Sequence, residues 1–500
     1  MFSVYLINEE QMKRNLLFFL TATLFTGLIF AEAPETAASR VSLPDTTTLL
    51  LSYVENDSEL KNLTLAAKKA ALSYQAAKID TGFDVTLSSG TVTLQVDDDG
   101  SNLTAKPSVK ASLPQASNLS VTAKTNYSYE SEDTNISDTS LSLGVDIISS
   151  AVISNKLTKL KAERSVTEAQ RKIEKRAIAA EKEFYTALKG LLTSINSIMT
   201  KRQTLYEDSI DLEAKKVQGY STSSSTYRQA QLKVISDQHD VESAIHTFKY
   251  DCVVFYKKCG YDLDFDENAD LMSFVPSGID EVEALDIKDF DKELYTDIES
   301  AKWTYYINSM ERSSKKTYSL SANAGYTFDN SSTNTDSIDA GLSGSIGGLT
   351  LGAGISMPVG ADAASSSPVY TFSASINPNT FRKNSITKQQ NQLTEEQELI
   401  AIETAEAAYE TKVVELQQKL DTLLWEKKTA EETISMYDAL EKDMAQLYKQ
   451  GYSSENEYLS SKNNLNSSII KKISNLIDLI IYNDDVISNF VSEAENEKEN

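Results

Sequence analysis

A chain of 500 residues that is 40% hydrophobic can bury several cores, and its length suggests two or three domains. Its formal net charge of −25 excludes a nucleic-acid partner, because a polyanion needs a clustered basic face and this chain has none. The two cysteines, Cys252 and Cys259, are too few for a disulfide framework. On one helix they would stand about 10 Å apart, beyond bridging reach.

The amino terminus reads as an export signal over 1–33. Met12-Lys13-Arg14 supplies the positive start, Leu16 to Phe30 the apolar run, and Ala31-Glu32-Ala33 the small-x-small pattern of a cleavage site. Met12 is a candidate true start, and the mature chain is expected to begin at Glu32 or Pro34. At about 15 residues the apolar run is short for a membrane span. No cysteine follows it, so a lipid anchor is not indicated. No later stretch reaches the length of a transmembrane helix, so an exported chain of this kind is either soluble or inserted as a β-barrel.

A first periplasmic helix is expected within 34–83, where Leu49, Tyr53, Leu60, Leu63, Ala67, Ala70, Tyr74 and Ala77 recur at helical spacing. From 84 to 148 the period drops to two. Leu119, Val121, Ala123, Tyr127 and Tyr129 alternate with polar residues, as do Leu141, Leu143, Val145 and Ile147. The span 149–258 predicts a long helical hairpin striped by Phe184, Leu188, Leu191, Ile195, Ile198, Leu205 and Leu212. A linker at 259–283 and a second helix at 284–316 follow. A second strand set at 317–377 places Tyr318, Leu320, Ala322, Ala324, Tyr326 and Phe328 on one face. A second hairpin at 378–490 is striped by Tyr409, Val413, Leu416, Leu420, Leu423, Ala430, Ile434, Tyr437, Met444 and Tyr448, and an acidic tail closes the chain at 491–500.

Alternation alone also fits a soluble sheet with one wet face. A membrane barrel is favoured by aromatics at both ends of the Tyr318–Phe328 run and by strands of about ten residues. Connection lengths point the same way. Asp97–Asn102, Glu130–Ser137, Asp329–Asp336 and Val359–Ser367 read as longer polar loops, while Pro114–Ser117 and Gly347-Gly348 read as tight turns. Four strands per half, eight per chain, is the expectation. Pro107 counts against an unbroken second strand, since proline cannot donate to a ladder.

Both hairpins turn on one device. Gly219 suits the left-handed position that ends a helix, and the hydroxyls of Ser221 to Ser225, Thr222 included, can cap the next. The second turn, Gln450-Gly451-Tyr452-Ser453-Ser454, repeats it, and the strand runs near Val85 and Tyr318 recur at the same offset to within a residue. The chain is therefore a tandem duplication. Chemistry is not indicated. His239 and His246 lie on one helix without carboxylate or thiol partners at ligand spacing, no phosphate-cradling loop or nucleophile elbow appears, and no cofactor or catalytic or metal residue is expected.

Export signal, duplicated half, strand sets and glycine-serine turn together resemble the TolC-like outer membrane efflux protein family, over about 46–490. The resemblance implies an α+β membrane protein and a homotrimer in outer membrane lipid. A β-barrel would continue into a periplasmic coiled-coil barrel of twelve helices, with residues 259–283 and 491–500 belting its middle. It also implies a passive exit duct for small molecules or polypeptides, served by a periplasmic adaptor and an inner-membrane pump of RND, ABC or MFS type. In that family an acidic residue follows the turn glycine by six positions and an apolar residue by eight. Glu457 and Leu459 fit after Gly451, whereas Ser225 and Tyr227 stand there after Gly219. The resemblance places Gly219, Thr222, Ser225, Tyr448, Gly451, Ser454 and Glu457 at the periplasmic tip and gate. The alternative from another class is a trimeric structural or adhesive protein with a coiled-coil stalk.

Overall fold

The computed structural model describes residues 44–97, 100–114, 117–130, 133–148, 151–265, 270–276, 278–315, 318–328, 336–360 and 367–491. The expected export signal, the acidic tail beyond Val491 and the centres of the connections at 329–335 and 361–366 lie outside them. The described residues fall into two compact units. The smaller is the segment 270–274, in which Leu271–Phe274 forms one 3-10 turn and Asp270 Oδ1 accepts from the Met272 N–H at 3.1 Å.

The larger unit holds both repeats. The first runs α1 (Thr46–Asn56), α2 (Ser58–Asp80), β1 (Asp84–Ser88), β2 (Val92–Asp97), β3 (Gly100–Ala105), β4 (Ser108–Leu113), β5 (Leu119–Glu130), β6 (Asp133–Ile148), α3 (Ala151–Val217) and α4 (Ser225–Lys258). The second runs α5 (Thr296–Ser314), β7 (Tyr318–Phe328), β8 (Asp336–Ile346), β9 (Leu349–Val359), β10 (Val369–Ile376), α6 (Pro378–Lys449) and α7 (Glu455–Ser488). The single helix expected at 34–83 is two. Asp57 divides them because its backbone is extended and its carboxylate accepts from the Leu60 N–H at 2.7 Å, capping α2 while ending α1.

Among the described residues ten strands form one antiparallel sheet, against the eight expected. The extra two come from breaks within strands. β1 pairs with β4 and β2 with β3, so β1–β2 and β3–β4 are the two legs of one long hairpin. Both β3 and β4 keep one register along β5, and the gap between them falls at Lys106-Pro107. Pro107 lacks the N–H that would continue the ladder, yet its carbonyl still accepts from the Thr125 N–H at 3.1 Å. The sheet is thus crossed eight times by ten strands. The connections expected to be longer loops near 97–102 and 130–137 are tight instead, since Asp97 pairs with Gly100 and Glu130 with Asp133.

Register sorts the two faces across the middle of the sheet, with Val369 at the β10 edge as the apolar member of the polar row. Val85, Ala111, Val121, Leu143, Ala324, Ala340, Ile355 and Tyr370 form one continuous cross-strand row, one residue from each pass. The adjacent row on the opposite face reads Thr86, Lys110, Thr122, Ser142, Gly325, Asp339, Ser356 and Val369. The apolar face is uncovered: Leu87, Leu143, Leu342, Leu351, Tyr370 and Phe372 are all exposed, Phe372 by 82%. Pro114, Leu119 and the Gly347-Gly348 turn lie at the helical end, where Asn155 Nδ2 donates to the Pro114 carbonyl at 3.2 Å and the Asn377 N–H to the Gly348 carbonyl at 2.7 Å. The antiparallel order puts Asp97, Gly100, Glu130, Asp133, Phe328, Asp336, Val359 and Val369 at the far end.

Helices α3 and α6, of 67 and 72 residues, are about 100 and 110 Å long at about 1.5 Å per residue. α3 packs against α2, α4 and α7, and α6 packs against α7. Of the expected stripe, Phe184, Leu188, Leu191, Ile195 and Ile198 are all buried, while Leu205 and Leu212 nearer the turn are half-buried. In the second hairpin Leu416 and Leu423 join Ile287, Leu479, Tyr482 and Val486. The start of α5 is tied to the end of α7 by a pair of backbone bonds, Thr296 N–H to the Asn489 carbonyl and Val491 N–H to the Leu294 carbonyl, each 2.9 Å.

Candidate functional site at the two helix turns

The helix ends explain why these residues were needed. At the first turn the Tyr220 N–H reaches back to the Lys215 carbonyl at 3.2 Å, and at the second the Tyr452 N–H reaches the Leu447 carbonyl at 2.9 Å. Both loops close through a glycine at positive φ, +79° for Gly219 and +77° for Gly451. A Cβ would meet no neighbour at either position, so glycine is required there by backbone conformation alone.

The caps differ. At the second turn Ser454 Oγ accepts from the Glu457 N–H at 3.3 Å, and Glu457 Oε2 accepts from the Ser454 N–H at 2.9 Å, a reciprocal capping box. Ser453 Oγ also donates to Glu457 Oε2 at 3.0 Å. The Ser454 backbone N–H, then the two serine hydroxyls, hold the Glu457 carboxyl below its ordinary range. The cap is therefore complete above the ordinary carboxylate range and is lost as pH falls through the depressed value. Replacing Ser454 with alanine is expected to cost about 1 kcal/mol of stability, read as a lower unfolding midpoint at neutral pH. The penalty should shrink in acid, where Glu457 no longer holds its half of the box.

At the first turn the cap is Ser224, whose Oγ accepts from the Tyr227 N–H at 3.2 Å. Ser225, expected among the tip residues by its distance from Gly219, is the first residue of α4 and does not cap it. Thr222 sits in the turn, exposed, within the span closed by the Ser224 N–H to the Ser221 carbonyl bond at 2.8 Å. The first turn is longer than the second, so the residue structurally opposite Glu457 is Tyr227, and that place still carries no acid.

Tyr448 stacks on Tyr458 within the second hairpin, with ring centroids 5.4 Å apart and planes 5° from parallel. Above the turns, α3 and α7 are joined by polar pairs rather than by leucines. Tyr206 Oη donates to Glu455 Oε2 at 2.8 Å, Gln203 Nε2 to Asn456 Oδ1 at 2.6 Å, and Ser467 Oγ to Asn196 Oδ1 at 2.6 Å. These links tie the start of α7, just after Gly451, to the first hairpin. The sequence offered no sign of them, because each residue alone reads as a solvated helix position. Among the described residues no group of three or more His, Cys, Asp or Glu side chains could hold a metal ion. Cys252 and Cys259 are free and buried, and burial pushes both thiols up to about 12.

Residues 49–279 match the TP096X N-terminal domain, and residues 280–493 match the TP096X C-terminal domain. The chain carries both TP096X domains, in order. No curated protein sequence matches it at a significant level. Among solved structures the TP096X chain is similar to the open state of the MtrE outer membrane channel of Neisseria gonorrhoeae, at 12% identity and TM-score 0.46, covering 89% of this chain and 88% of that one. It is similar to the outer membrane protein VceC of Vibrio cholerae at 10% identity and TM-score 0.46, covering 90% and 97%. A membrane protein from Pseudomonas aeruginosa has 14% identity and TM-score 0.46, covering 91% and 99%. The boundary between the two TP096X domains, at 279–280, falls between the two repeats, after α4 and before α5.

Proposed function

We propose that this TP096X chain is one sector of a trimeric outer-membrane channel, a passive duct through which cargo from an inner-membrane pump leaves the cell. The observation that carries this reading is the uncovered apolar face of the sheet. A row such as Val85–Ala111–Val121–Leu143–Ala324–Ala340–Ile355–Tyr370 has no helix over it, and a soluble sheet would bury it. Strands of 11 residues, tilted as in a barrel, rise about 28 Å, close to the thickness of a hydrocarbon layer.

A sheet in lipid must have no edges, because unpaired N–H and C=O groups there find no water. This sheet has two, β1–β2 at one side and β10 at the other, both exposed. The helices next to these edges in the chain, α2 before β1 and α6 after β10, carry matching features. Leu65, Leu72 and Ile79 lie exposed on α2 at seven-residue spacing, and Ile386, Leu393 and Ile400 lie exposed on α6 at the same spacing. Further along, α6 exposes Val414, Trp425, Met436 and Leu447, while α4 exposes Leu232, Ile235, Tyr250 and Val253. Edge strand and edge helix of one copy thus fit the opposite edges of the next, and three copies would close both layers, giving the helical layer twelve long strands of helix.

On this reading the turns at Gly219 and Gly451 form the narrow end of the helical tube, where an adaptor would dock. Tyr448 and Glu457 would contribute to the closed state from within the second hairpin. The cargo passes without chemistry.

The interface is tested by cysteines replacing Leu72 and Ile386 in one chain, at similar distances from the sheet, joined by a bis-maleimide in intact cells. The expected product is a dimer and a closed trimer on denaturing gels. A chain recovered only as monomer would contradict the closure. The native thiols are buried and should not contribute.

A further inference from the structure

The helices are basic where they adjoin the sheet. α2 ends at Asp80 and β1 starts at Asp84, while β6 ends at Ile148 and α3 starts at Ala151. In the second repeat α5 ends at Ser314 before β7 starts at Tyr318, and β10 ends at Ile376 just before α6. The stretches nearest the sheet, 70–83, 151–162, 305–315 and 377–390, hold nine lysines and arginines against two acids, Asp80 and Glu311, in a chain whose net charge is −25. Three of the nine are committed. Arg312 pairs with Glu398 at 2.8 Å, and Glu311 holds Lys161 at 3.0 Å and Lys315 at 3.3 Å. The other six are Lys78, Lys156, Lys159, Arg382, Lys383 and Lys388. None has an ion-pair partner among the described residues, and all but the half-buried Lys159 are exposed. The far end of the sheet has the opposite character, with Asp97, Glu130, Asp133 and Asp336 at its strand ends.

Aromatic side chains mark the level at which sheet gives way to helix. Phe83 stands just before β1, Tyr318 opens β7, and Phe381 lies against the Gly347-Gly348 turn, where a Cβ on Gly347 would come within 2.9 Å of its ring. All three are exposed, Phe83 by 65%. Exposed aromatics bordering an apolar face are the mark of a membrane interface. Lys78, Lys156, Arg382 and Lys383 stand within about 8 Å of their helix ends, about the depth of a headgroup layer. Lys159 follows Lys156 by about one turn.

On the reading of the sheet as a lipid-embedded barrel, we propose that these residues form a basic collar that binds the anionic headgroups of the leaflet on the helical side. The ligand is a phosphodiester with net negative charge, as in phosphatidylglycerol. Lysines meet it as point charges, and Arg382 can offer it two parallel N–H bonds. A zwitterionic headgroup carries its own cation and gains far less from the same residues. The long lysine stems let the ammonium groups reach along the helix to the headgroup plane. With acids at the far end and bases at the near end, the collar sets the depth and direction of the sheet in the membrane.

The test reconstitutes the purified full chain into vesicles with trace spin-labelled phosphatidylglycerol or phosphatidylcholine. Electron spin resonance then reads the fraction of each lipid held at the protein surface. Wild type should hold phosphatidylglycerol about threefold over phosphatidylcholine at low salt. That ratio should fall toward one at about 0.5 M salt. It should fall likewise in two double variants, Lys156→Gln with Lys159→Gln and Arg382→Gln with Lys383→Gln. The second pair, both exposed, carries the measurement where the first fails to fold. Lys428→Gln with Lys462→Gln, exposed on α6 and α7 far from the sheet, should keep the preference. A ratio of one in wild type, or a ratio that the collar variants leave unchanged, would overturn the proposal. Failure of the collar and failure of the duct read differently. A chain that inserts and conducts in phosphatidylcholine without lipid preference overturns the collar alone, whereas a chain that enters neither kind of vesicle overturns both.

Discussion

Leu416→Asp is expected to destroy the second hairpin as a packed unit. Leu416 is 1% exposed, in a core with Ile287, Leu423, Leu479, Tyr482 and Val486 that joins α6, α7 and the segment before α5. The substitution removes a buried isobutyl group and introduces a carboxylate beside partners with no cation to offer. Each effect alone is severe, and together they should cost about 3 to 5 kcal/mol or more. Because α6 also carries the exposed stripe proposed to meet the next copy, the closed oligomer should be lost with the hairpin. Native gels would show this as disappearance of the trimer band, and limited proteolysis as cleavage between 400 and 450. Val414→Asp is the control. Val414 is exposed by 66%, so it should leave the monomer intact and affect only assembly.

The second large effect is expected at the sheet. Leu143 sits mid-strand on the apolar face between Val121 and Ala324. If that face meets lipid, Leu143→Arg places a charge near the middle of the hydrocarbon layer at a cost of about 2 to 4 kcal/mol. The neighbouring residue Ser142, on the polar face between Thr122 and Gly325, should accept arginine at little cost. Outer-membrane insertion, measured as resistance to urea extraction of membranes, separates the two. Equal loss in both would mean that neither face meets lipid.

Much of this architecture was legible in the sequence because its periods are long and unbroken. The stripe from Phe184 to Ile198 could be read directly, since a residue pattern sustained over that length leaves a single buried face. The apolar row through Val121, Leu143 and Ala324 was legible for the same reason, each strand alternating on its own. The strand breaks were less visible. Asp, Ser, Asn and Gly around 97–102 and 130–137 suit a loop as well as the end of a strand, and only pairing shows that Asp97 opposes Gly100 and Glu130 opposes Asp133. Proline at 107 did mark a break, but one that keeps its register along β5.

The turns show the same division. Their glycines were fixed by backbone chemistry and could be found by eye. The cap of α4 could not, because Ser221, Ser223, Ser224 and Ser225 are chemically equivalent, and only the longer first turn selects Ser224. The capping box of Ser454 with Glu457 was not read either, since Glu457 was marked only as the acid six residues after Gly451. The polar α3–α7 seam was out of reach, since its partners lie far apart in the chain and meet only through packing.

The proposed assembly is a continuous duct closed by three copies of this chain. Its most direct test is the conductance of the purified full chain in planar lipid bilayers. Discrete, long-lived conductance steps are expected from the trimer fraction, and they should rise when the stack of Tyr448 on Tyr458 is removed by Tyr448→Ala. A trimer that inserts but never conducts, with or without that substitution, would contradict it.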